Sequence, residues 1–402
     1  MWDHFDHNPF RSNCAEFTCM AFAVQKVSIF LCSKFAMNAV VDFVKSLNLE
    51  EKLSPRRNAD IIWFYIFMPC VVAYFVILTS YINAKPTIGS IEILDTSFAS
   101  LIYPGKEMEI IATDVKWAEG PLWIQDDAAS LNYLMFSDTE ANRIYKWEDG
   151  KGMFTVGKTI YIENSGCKSD LAHCSSLKEP GSNGLVRRDS TSLDLLACQH
   201  GERAISLLRE NGTRSAVATH FNHSRLNSPN DLIMSPDGHL YFTDPPYGLV
   251  TKLNGAVGQE LPHSGVYMIR KEYLQMAMES GEATDQVWLM DGSLSKPNGL
   301  AFSPDFSKLY VSHSDKAAPF WKVYEVADNG LIKNGRVFFD AKELYETECA
   351  KESDSACVNV GLPDGMKVDI NGNLFATGPG GVLVISPAGK LFMSDNTISN
   401  LL

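Results

Sequence analysis

The chain has 402 residues, of which 45% are hydrophobic and 21% charged, and its formal net charge at pH 7 is −13. A chain of this length and composition can bury a large core, so a globular fold rather than general disorder is expected. Nucleic-acid binding is not expected, because it requires clustered Lys and Arg on one face.

The first predicted element is a membrane helix. Residues 61–82 carry no charged side chain, and a helix of that length crosses a hydrocarbon core of roughly 30 Å. A cleaved signal peptide has a shorter apolar core near the N-terminus, so a signal-anchor is favoured. Positive charge is concentrated before the helix, which predicts a cytoplasmic tail over residues 1–60 and a lumenal or extracellular domain over residues 86–402.

Two features of residues 86–402 agree with that topology. Asn211 and Asn222 begin N-glycosylation sequons. The closely spaced pairs Cys167/Cys174 and Cys349/Cys357 stand in polar loops, although the sequence alone leaves their bonding open. Cys198 would then remain a buried, unpaired thiol.

A repeated motif dominates the chain after residue 100. It consists of a polar residue, then Gly or Asp, then apolar residues that lead into aromatic and β-branched segments. Tight-turn sequences such as Ser-Pro-Asp-Gly separate the predicted strands, and the one long helical pattern after residue 85 is at residues 271–280. Units of roughly 45 to 70 residues with about four strands each predict an all-β propeller. The five copies begin at Glu119, Asn183, Asn230, Asn298 and Asp364.

These five residues occupy the same place in each repeat, so they are expected to converge on the propeller axis. A purely structural repeat would have apolar residues or Gly there. Five oxygen-bearing side chains in register therefore predict a functional site.

The motifs also carry a resemblance to a known family. WAEGPLW, SNGL, SPNDLIMSPDGHLYFTDPPYGL, KPNGLAFSPD and GLPDGMKVDINGNL resemble, in this order, the gluconolactonase/regucalcin (senescence marker protein-like) family. The resemblance implies a six-bladed β-propeller. GKLFMSDNTISNLL resembles the start of the sixth blade, which would be incomplete at Leu402, and a strand from residues 89–112 is expected to pair there. A truncated gene model is the preferred interpretation, followed by an alternative isoform and then a functional open ring.

The resemblance implies one divalent metal ion held by Glu119, Asn298 and Asp364. These hard oxygen ligands suit Ca²⁺ best, with Mg²⁺, Mn²⁺ or Zn²⁺ as alternatives. Asp364 would also act as the catalytic proton acceptor. Asn230, Asn183 and His200 are the predicted substrate-binding residues, and Asn183 is also a candidate further ligand. The family's Arg two residues before the third motif's Asn is Ser228 here, so its role in sugar recognition does not transfer.

Three further residues follow the inner strands and have two interpretations. Tyr247 and His313 could line the mouth of the site, but such residues more often satisfy backbone groups. Asp244 precedes Pro245 and Pro246 and is interpreted first as a turn residue.

The predicted activity is metal-dependent hydrolysis of a lactone such as gluconolactone by activated water. The absence of a G-x-S-x-G motif from the sequence argues against a serine nucleophile. Alternatives are a strictosidine-synthase-like or arylesterase-like propeller enzyme and a non-catalytic binding module displayed on a membrane. The sequence leaves the oligomeric state open.

Overall fold

The computed structural model describes residues 87–89, 91–96, 101, 108–126, 131–148, 157–168, 170–189, 191–253, 255, 257–352, 357 and 360–395. All of them lie in Lys85–Leu402, the second of two units into which the chain divides. The predicted tail (1–60) and membrane helix (61–82) lie outside the described residues. Within the described part of the chain, every helix is too short or too polar to span a bilayer.

Three short strands precede the first blade: β1 (Thr87–Ile88), β2 (Ile91–Ile93) and β3 (Met108–Glu109). Blade 1 contains β4 (Ala118–Asp126), β5 (Leu131–Asp138), β6 (Arg143–Trp147) and β7 (Lys158–Glu163). Helix α1 (Leu171–Ser176) leads into blade 2, which contains β8 (Ser182–Arg187), β9 (Leu195–Gln199), β10 (Ala204–Leu208) and β11 (Arg214–Ala218).

A small hairpin of β12 (His220–Phe221) and β13 (Ser224–Arg225) links blade 2 to blade 3. Blade 3 contains β14 (Leu232–Met234), β15 (Leu240–Asp244), β16 (Gly265–Ile269) and β17 (Trp288–Asp291). A 3₁₀ turn (Tyr247–Leu249) follows β15, and α2 (Lys271–Ser280) follows β16. The helical pattern predicted at residues 271–280 is thus confirmed.

Blade 4 contains β18 (Pro297–Phe302), β19 (Lys308–His313), β20 (Phe320–Val326) and β21 (Ile332–Asp340), followed by α3 (Lys342–Cys349). Blade 5 contains β22 (Met366–Val368), β23 (Leu374–Gly378), β24 (Gly381–Ile385) and β25 (Leu391–Asp395), with β2 as a fifth, outermost strand. The predicted all-β propeller is confirmed.

The prediction of a sixth blade is wrong for the described residues, because they form five blades. The segment that resembled its first strand is β25, the fourth strand of blade 5. A tight turn, in which Gly389 N–H donates to the Ser386 carbonyl at 2.8 Å, folds β25 back against β24. The opposite edge of β25 pairs with β2, from Ile91 opposite Asp395 to Ile93 opposite Met393. A strand from residues 89–112 therefore does pair with the segment predicted to begin the sixth blade, but it does so as the outermost strand of blade 5.

Apolar side chains join each blade to the next. Separate buried clusters lie between blades 1 and 2, 2 and 3, 3 and 4, and 4 and 5. Trp321 of blade 4, for example, is fully buried and packs with Leu374 and Leu383 of blade 5. Each fully buried large apolar side chain stabilises the fold by about 1.5–3 kcal/mol. The blade interfaces thus fix the positions of the inner strands around the axis.

The cysteine predictions agree with the structure. Disulfides join Cys167 to Cys174 and Cys349 to Cys357, and Cys198 is a buried free thiol. Asn211 and Asn222 are both exposed, so their side chains are accessible. Glycosylation at these two positions stays a prediction.

Candidate active site at the propeller axis

The five repeated polar residues stand at the start of the inner strands. Glu119, Asn183 and Asn298 lie near the beginnings of β4, β8 and β18. In each of these strands the pairing register shifts at or just after the polar residue, between residues 119 and 122, 182 and 185, and 297 and 300. Such irregularities re-aim side chains out of the regular ladder. Asn230 and Asp364 lie two residues before β14 and β22.

The inner strands approach one another closely at the motif's second position. A Cβ on Gly120 would lie 2.1 Å from the carbonyl oxygen of Asn183, and a Cβ on Gly299 would lie 2.5 Å from that of Asp364. Gly184 N–H donates to the carbonyl of Asn230 at 2.8 Å. Only glycine permits this approach, which brings consecutive motifs into contact around the axis.

Asp231 connects the third motif to the fourth. Its Oδ2 accepts from Leu300 N–H at 3.1 Å and its Oδ1 from Leu232 N–H at 2.9 Å. Burial raises the pKa of this carboxyl, while Lys367 and the two backbone donors lower it. Asp231 therefore links the third and fourth motifs through its hydrogen bond to Leu300. This explains why the third motif has an acidic residue at its second position, where the other motifs have Gly.

The Asp364 carboxylate of blade 5 interacts electrostatically with the Glu119 carboxylate of blade 1. Burial and then the Asp364 carboxylate raise the pKa of Glu119 well above its usual value, although Trp117 Nε1 donates to Glu119 Oε1 at 2.9 Å. Burial and then Asp231 raise the pKa of Asp364 to about 6, against the opposing effects of the Gly365 backbone and Asn298. Carboxylates whose charges are disfavoured by burial and by neighbouring carboxylates form a site suited to a cation.

Asn298 and Asp364 leave specific atoms available at the axis. Asp364 Oδ1 is buried and has no hydrogen-bond partner among the described residues. Asn298 Nδ2 donates to Ser314 Oγ at 3.0 Å, and Ser314 in turn donates to the Pro363 carbonyl, which fixes the amide beside Asp364. Asn183 and Asn230 are also buried.

The donor set at the axis fits a hard divalent cation. Glu119 and Asp364 supply carboxylate oxygens, and Asn298 supplies an amide, as Ca²⁺, Mg²⁺ and Mn²⁺ prefer. The described residues contain no group of three or more His, Cys, Asp or Glu side chains arranged to hold a metal. The predicted ligands Glu119, Asn298 and Asp364 are not such a group, because Asn298 contributes an amide. The unpartnered Oδ1 of Asp364 is the observation that favours a cation here.

His200 lies beyond the end of β9 and is completely buried. Its Nδ1 is 3.6 Å from Oε2 of Glu179, and neither ring nitrogen has a hydrogen-bond partner among the described residues. Burial lowers the pKa of His200 to about 4, so the ring is neutral at pH 7. Burial raises the pKa of Glu179 to about 7, against the opposing charge of Lys178, and Asp364 contributes to the rise.

Glu179 is a residue near the site that the sequence motifs did not predict. It precedes β8 in the turn Lys178-Glu179-Pro180-Gly181, outside the repeated motif, and no periodic signal identifies it. Its only sequence signal is a charged residue four positions before Asn183.

Tyr247 reaches the axial site from the 3₁₀ turn after β15. Its hydroxyl is buried, and burial followed by the Asp364 charge raises its pKa. The hydroxyl lies near Ser314 and Asn298, but neither contact has hydrogen-bond geometry. Ser228, which replaces the family's Arg, donates to the Pro245 carbonyl at 2.6 Å and accepts from Gly248 N–H at 2.8 Å, so it holds this turn in place.

Asp244 and His313 have structural partners. Asp244 Oδ2 accepts from Asn227 N–H at 2.7 Å, whereas its Oδ1 is buried without a hydrogen-bond partner among the described residues, and burial raises the pKa of this carboxyl to about 7. The ring nitrogens of His313 lie 2.8 Å from the Ala318 carbonyl and 2.9 Å from Ser295 Oγ. The structural interpretations of both residues agree with these contacts.

Comparison with known proteins identifies the family. The SMP-30/Gluconolactonase/LRE-like region matches residues 117–395, which include all five motifs. The chain belongs to this family. It is 36% identical over 307 residues to a gluconolactonase of Zymomonas mobilis, covering 76% of each protein. Over 137 residues it is 26% identical to lactonohydrolase oryH of Aspergillus oryzae, covering 28% of this chain and 26% of that protein.

A solved gluconolactonase from Xanthomonas campestris superimposes with a TM-score of 0.58 at 25% identity, covering 78% of this chain and 88% of that one. The family prediction is thus confirmed, and the prediction of a lactone-hydrolysing enzyme is confirmed at the level of the family.

Proposed function

We propose that this protein hydrolyses a lactone at the propeller axis with a divalent cation, most favourably Ca²⁺, held by Glu119, Asn298 and Asp364. The observation that carries the proposal is the buried Asp364 Oδ1, which has no hydrogen-bond partner among the described residues, together with the Asp364 charge that raises the pKa of Glu119. Similarity to the gluconolactonase of Zymomonas mobilis supports the reaction class.

Each residue of the site has its own proposed role in the reaction. A divalent cation held by Glu119, Asn298 and Asp364 would supply Lewis-acid polarisation of the lactone carbonyl and a lower pKa for water. Asp364, whose pKa of about 6 leaves it mostly ionised at pH 7–8, would also accept the proton of the attacking water. Asn230 and Asn183, which are both buried, would orient the substrate.

Substitution of the two carboxylates tests this assignment in the full-length protein. Asp364→Asn should abolish turnover of glucono-δ-lactone, because the proton acceptor is lost, and Glu119→Gln should weaken cation binding. Glu272→Gln on exposed helix α2 is the matched control and should leave both unchanged. Near-normal activity in both axial variants would contradict the assigned site. A purified protein that binds no cation would favour a metal-free propeller enzyme or a binding module instead.

We further propose that residues 61–82 anchor the propeller to a membrane, with residues 86–402 lumenal or extracellular. The uncharged run at 61–82 and the exposed sequons at Asn211 and Asn222 support this topology. Expression in a eukaryotic cell should give a membrane-bound protein whose mobility changes on enzymatic removal of N-glycans. A freely soluble, unglycosylated product would contradict the topology.

A further inference from the structure

One buried hydroxyl group lies behind two of the predicted ligands. Ser314 follows β19, and only 6% of its surface is exposed. Its Oγ accepts from Asn298 Nδ2 at 3.0 Å and donates to the carbonyl of Pro363, the residue before Asp364. The side chain therefore connects the predicted ligand of blade 4 with the backbone that carries the predicted ligand of blade 5.

We propose that Ser314 is a positioning residue that sets which end of the Asn298 amide is presented to the cation. The inference rests on the proposed cation site and adds to it the residue that makes Asn298 able to act as a ligand.

The directions of the two hydrogen bonds decide the orientation of the amide. A serine hydroxyl has one proton and two acceptor lone pairs. Because Ser314 gives its proton to the Pro363 carbonyl, its Oγ can only accept from Asn298. An acceptor pairs with the NH₂ end of an amide and not with its oxygen. The hydroxyl therefore holds Nδ2 and leaves Oδ1 of Asn298 for a cation.

The orientation matters because the two ends of an amide differ in chemistry but hardly in shape. The oxygen is a hard ligand that suits Ca²⁺, whereas the NH₂ group offers two hydrogens and repels a cation. The last side-chain torsion of Asn is broad and roughly two-fold, so packing alone selects weakly between the two ends. A hydrogen bond to one end is what distinguishes them.

Backbone contacts fix everything around this torsion. Ser314 N–H donates to the Lys296 carbonyl at 3.0 Å, which holds the serine. Thr243 Oγ1 donates to the Asn298 carbonyl at 2.7 Å, which holds the backbone of the ligand. Asn298 and Thr243 are both buried. The rotation of the amide is then the remaining freedom of this ligand, and Ser314 restrains it.

The expected consequence is a loss of cation affinity when the hydroxyl is removed. Groups that orient metal ligands typically contribute 10- to 100-fold to the affinity for the metal. Ser314→Ala removes the acceptor, so the amide can turn its NH₂ group towards the cation. Ca²⁺ binding should therefore weaken at least about tenfold.

The test is a double-mutant cycle in the full-length protein, with Ca²⁺ affinity measured by calorimetry. Asn298→Asp gives a ligand with an oxygen at both ends, so its orientation no longer matters. Ser314→Ala should weaken Ca²⁺ binding at least about tenfold in the wild-type background and less than about threefold in the Asn298→Asp background. Equal losses in the two backgrounds would mean that Ser314 only supports the fold, and would overturn the inference.

Ser264→Ala is the matched control. Ser264 is equally buried, and its Oγ donates to the Ser295 carbonyl at 2.9 Å, so the variant loses a similar hydrogen bond that involves no predicted ligand. It should leave Ca²⁺ affinity unchanged, while its thermal midpoint in chelator reports the cost of a lost buried hydroxyl.

A second variant covers the case in which Ser314→Ala does not fold. Ser314→Cys retains a side chain of similar shape, but sulfur is a weak hydrogen-bond acceptor. It should also weaken Ca²⁺ binding, and more in the wild-type background than in the Asn298→Asp background. Wild-type affinity in a folded Ser314→Cys protein would overturn the inference.

Measuring binding rather than turnover separates this inference from the proposed activity. A protein that shows the expected coupling between Ser314 and Asn298 but hydrolyses no lactone refutes the proposed reaction alone. Unchanged Ca²⁺ affinity in Ser314→Ala refutes the positioning role, even if the wild type hydrolyses glucono-δ-lactone. A wild-type protein that binds no divalent cation would overturn both.

Discussion

The substitution Asp364→Asn should stabilise the metal-free protein while it abolishes activity. Burial and Asp231 raise the pKa of Asp364 from 3.8 to about 6, which means that the folded state resists the charged carboxylate. The shift is about 2 units, and each unit corresponds to about 1.36 kcal/mol, so the charge destabilises the folded state by about 3 kcal/mol at pH 8. The amide introduced by Asp364→Asn cannot ionise, so the variant is not destabilised by this charge.

The pH dependence follows from the sign of the shift. The folded state binds the proton more tightly than the unfolded state, so wild-type stability falls as pH rises from about 4 through about 6. Below that window the carboxyl is protonated in both states and the variant has no advantage. Above it, the variant should unfold about 5 °C higher, given the unfolding entropy of roughly 300 folded residues.

The assay is thermal unfolding in chelator at pH 4 and pH 8, for the wild type, Asp364→Asn and Asp237→Asn. Asp237 lies exposed in the turn before β15, so its substitution should leave the midpoint unchanged. Added Ca²⁺ should raise the wild-type midpoint at pH 8 and leave that of Asp364→Asn nearly constant. A variant less stable than the wild type at pH 8 in chelator would refute the electrostatic reasoning.

Three other predictions concern the same ring. Glu119→Gln should weaken Ca²⁺ binding at least about tenfold in calorimetry, because one of two negative ligands is lost; an unchanged Kd would contradict its role. Ca²⁺ affinity of the wild type should rise as pH increases from 5 to 7, because protons compete at the raised pKa values of Asp364 and Glu119; a flat profile would argue against these ligands. Gly299→Ala should destabilise the fold by about 1–3 kcal/mol in urea unfolding, since its Cβ would lie 2.5 Å from the Asp364 carbonyl, whereas Gly255→Ala, with open space around it, should not.

The inner ring was predictable because its signal is local and repeated. Each motif combines a polar residue, a small or acidic residue and an apolar strand, and the chain carries five of them. Blade interfaces then force the same position of every repeat towards the axis. The close approach of Gly120 to Asn183 and of Gly299 to Asp364 is the geometric reason for glycine in these motifs.

The end of the propeller was mispredicted because strand pattern does not specify strand partners. The sequence of Leu391–Asp395 suits either the fourth strand of one blade or the first strand of the next. The hydrogen bonds of β25 to β24 on one side and to β2 on the other decide between these two positions. The residue pattern of a single strand does not specify which neighbouring strands it will pair with.

The polar cluster beside the axis was only partly predictable. His200 follows a strand of a recognisable repeat, whereas Glu179 stands in an irregular turn and meets His200 only through the folding of blade 2. Tyr247 looked no different from a tyrosine that satisfies backbone groups. Burial without a partner distinguishes it from His313, and burial is visible only in three dimensions.

The most direct test of the central claim is hydrolysis of glucono-δ-lactone by the purified full-length protein, followed at constant pH before and after removal of divalent ions. The proposed site predicts turnover that disappears in chelator and returns when Ca²⁺, Mg²⁺, Mn²⁺ or Zn²⁺ is restored to the wild type but not to Asp364→Asn. Turnover that is indifferent to chelator, or restored equally in Asp364→Asn, would contradict it.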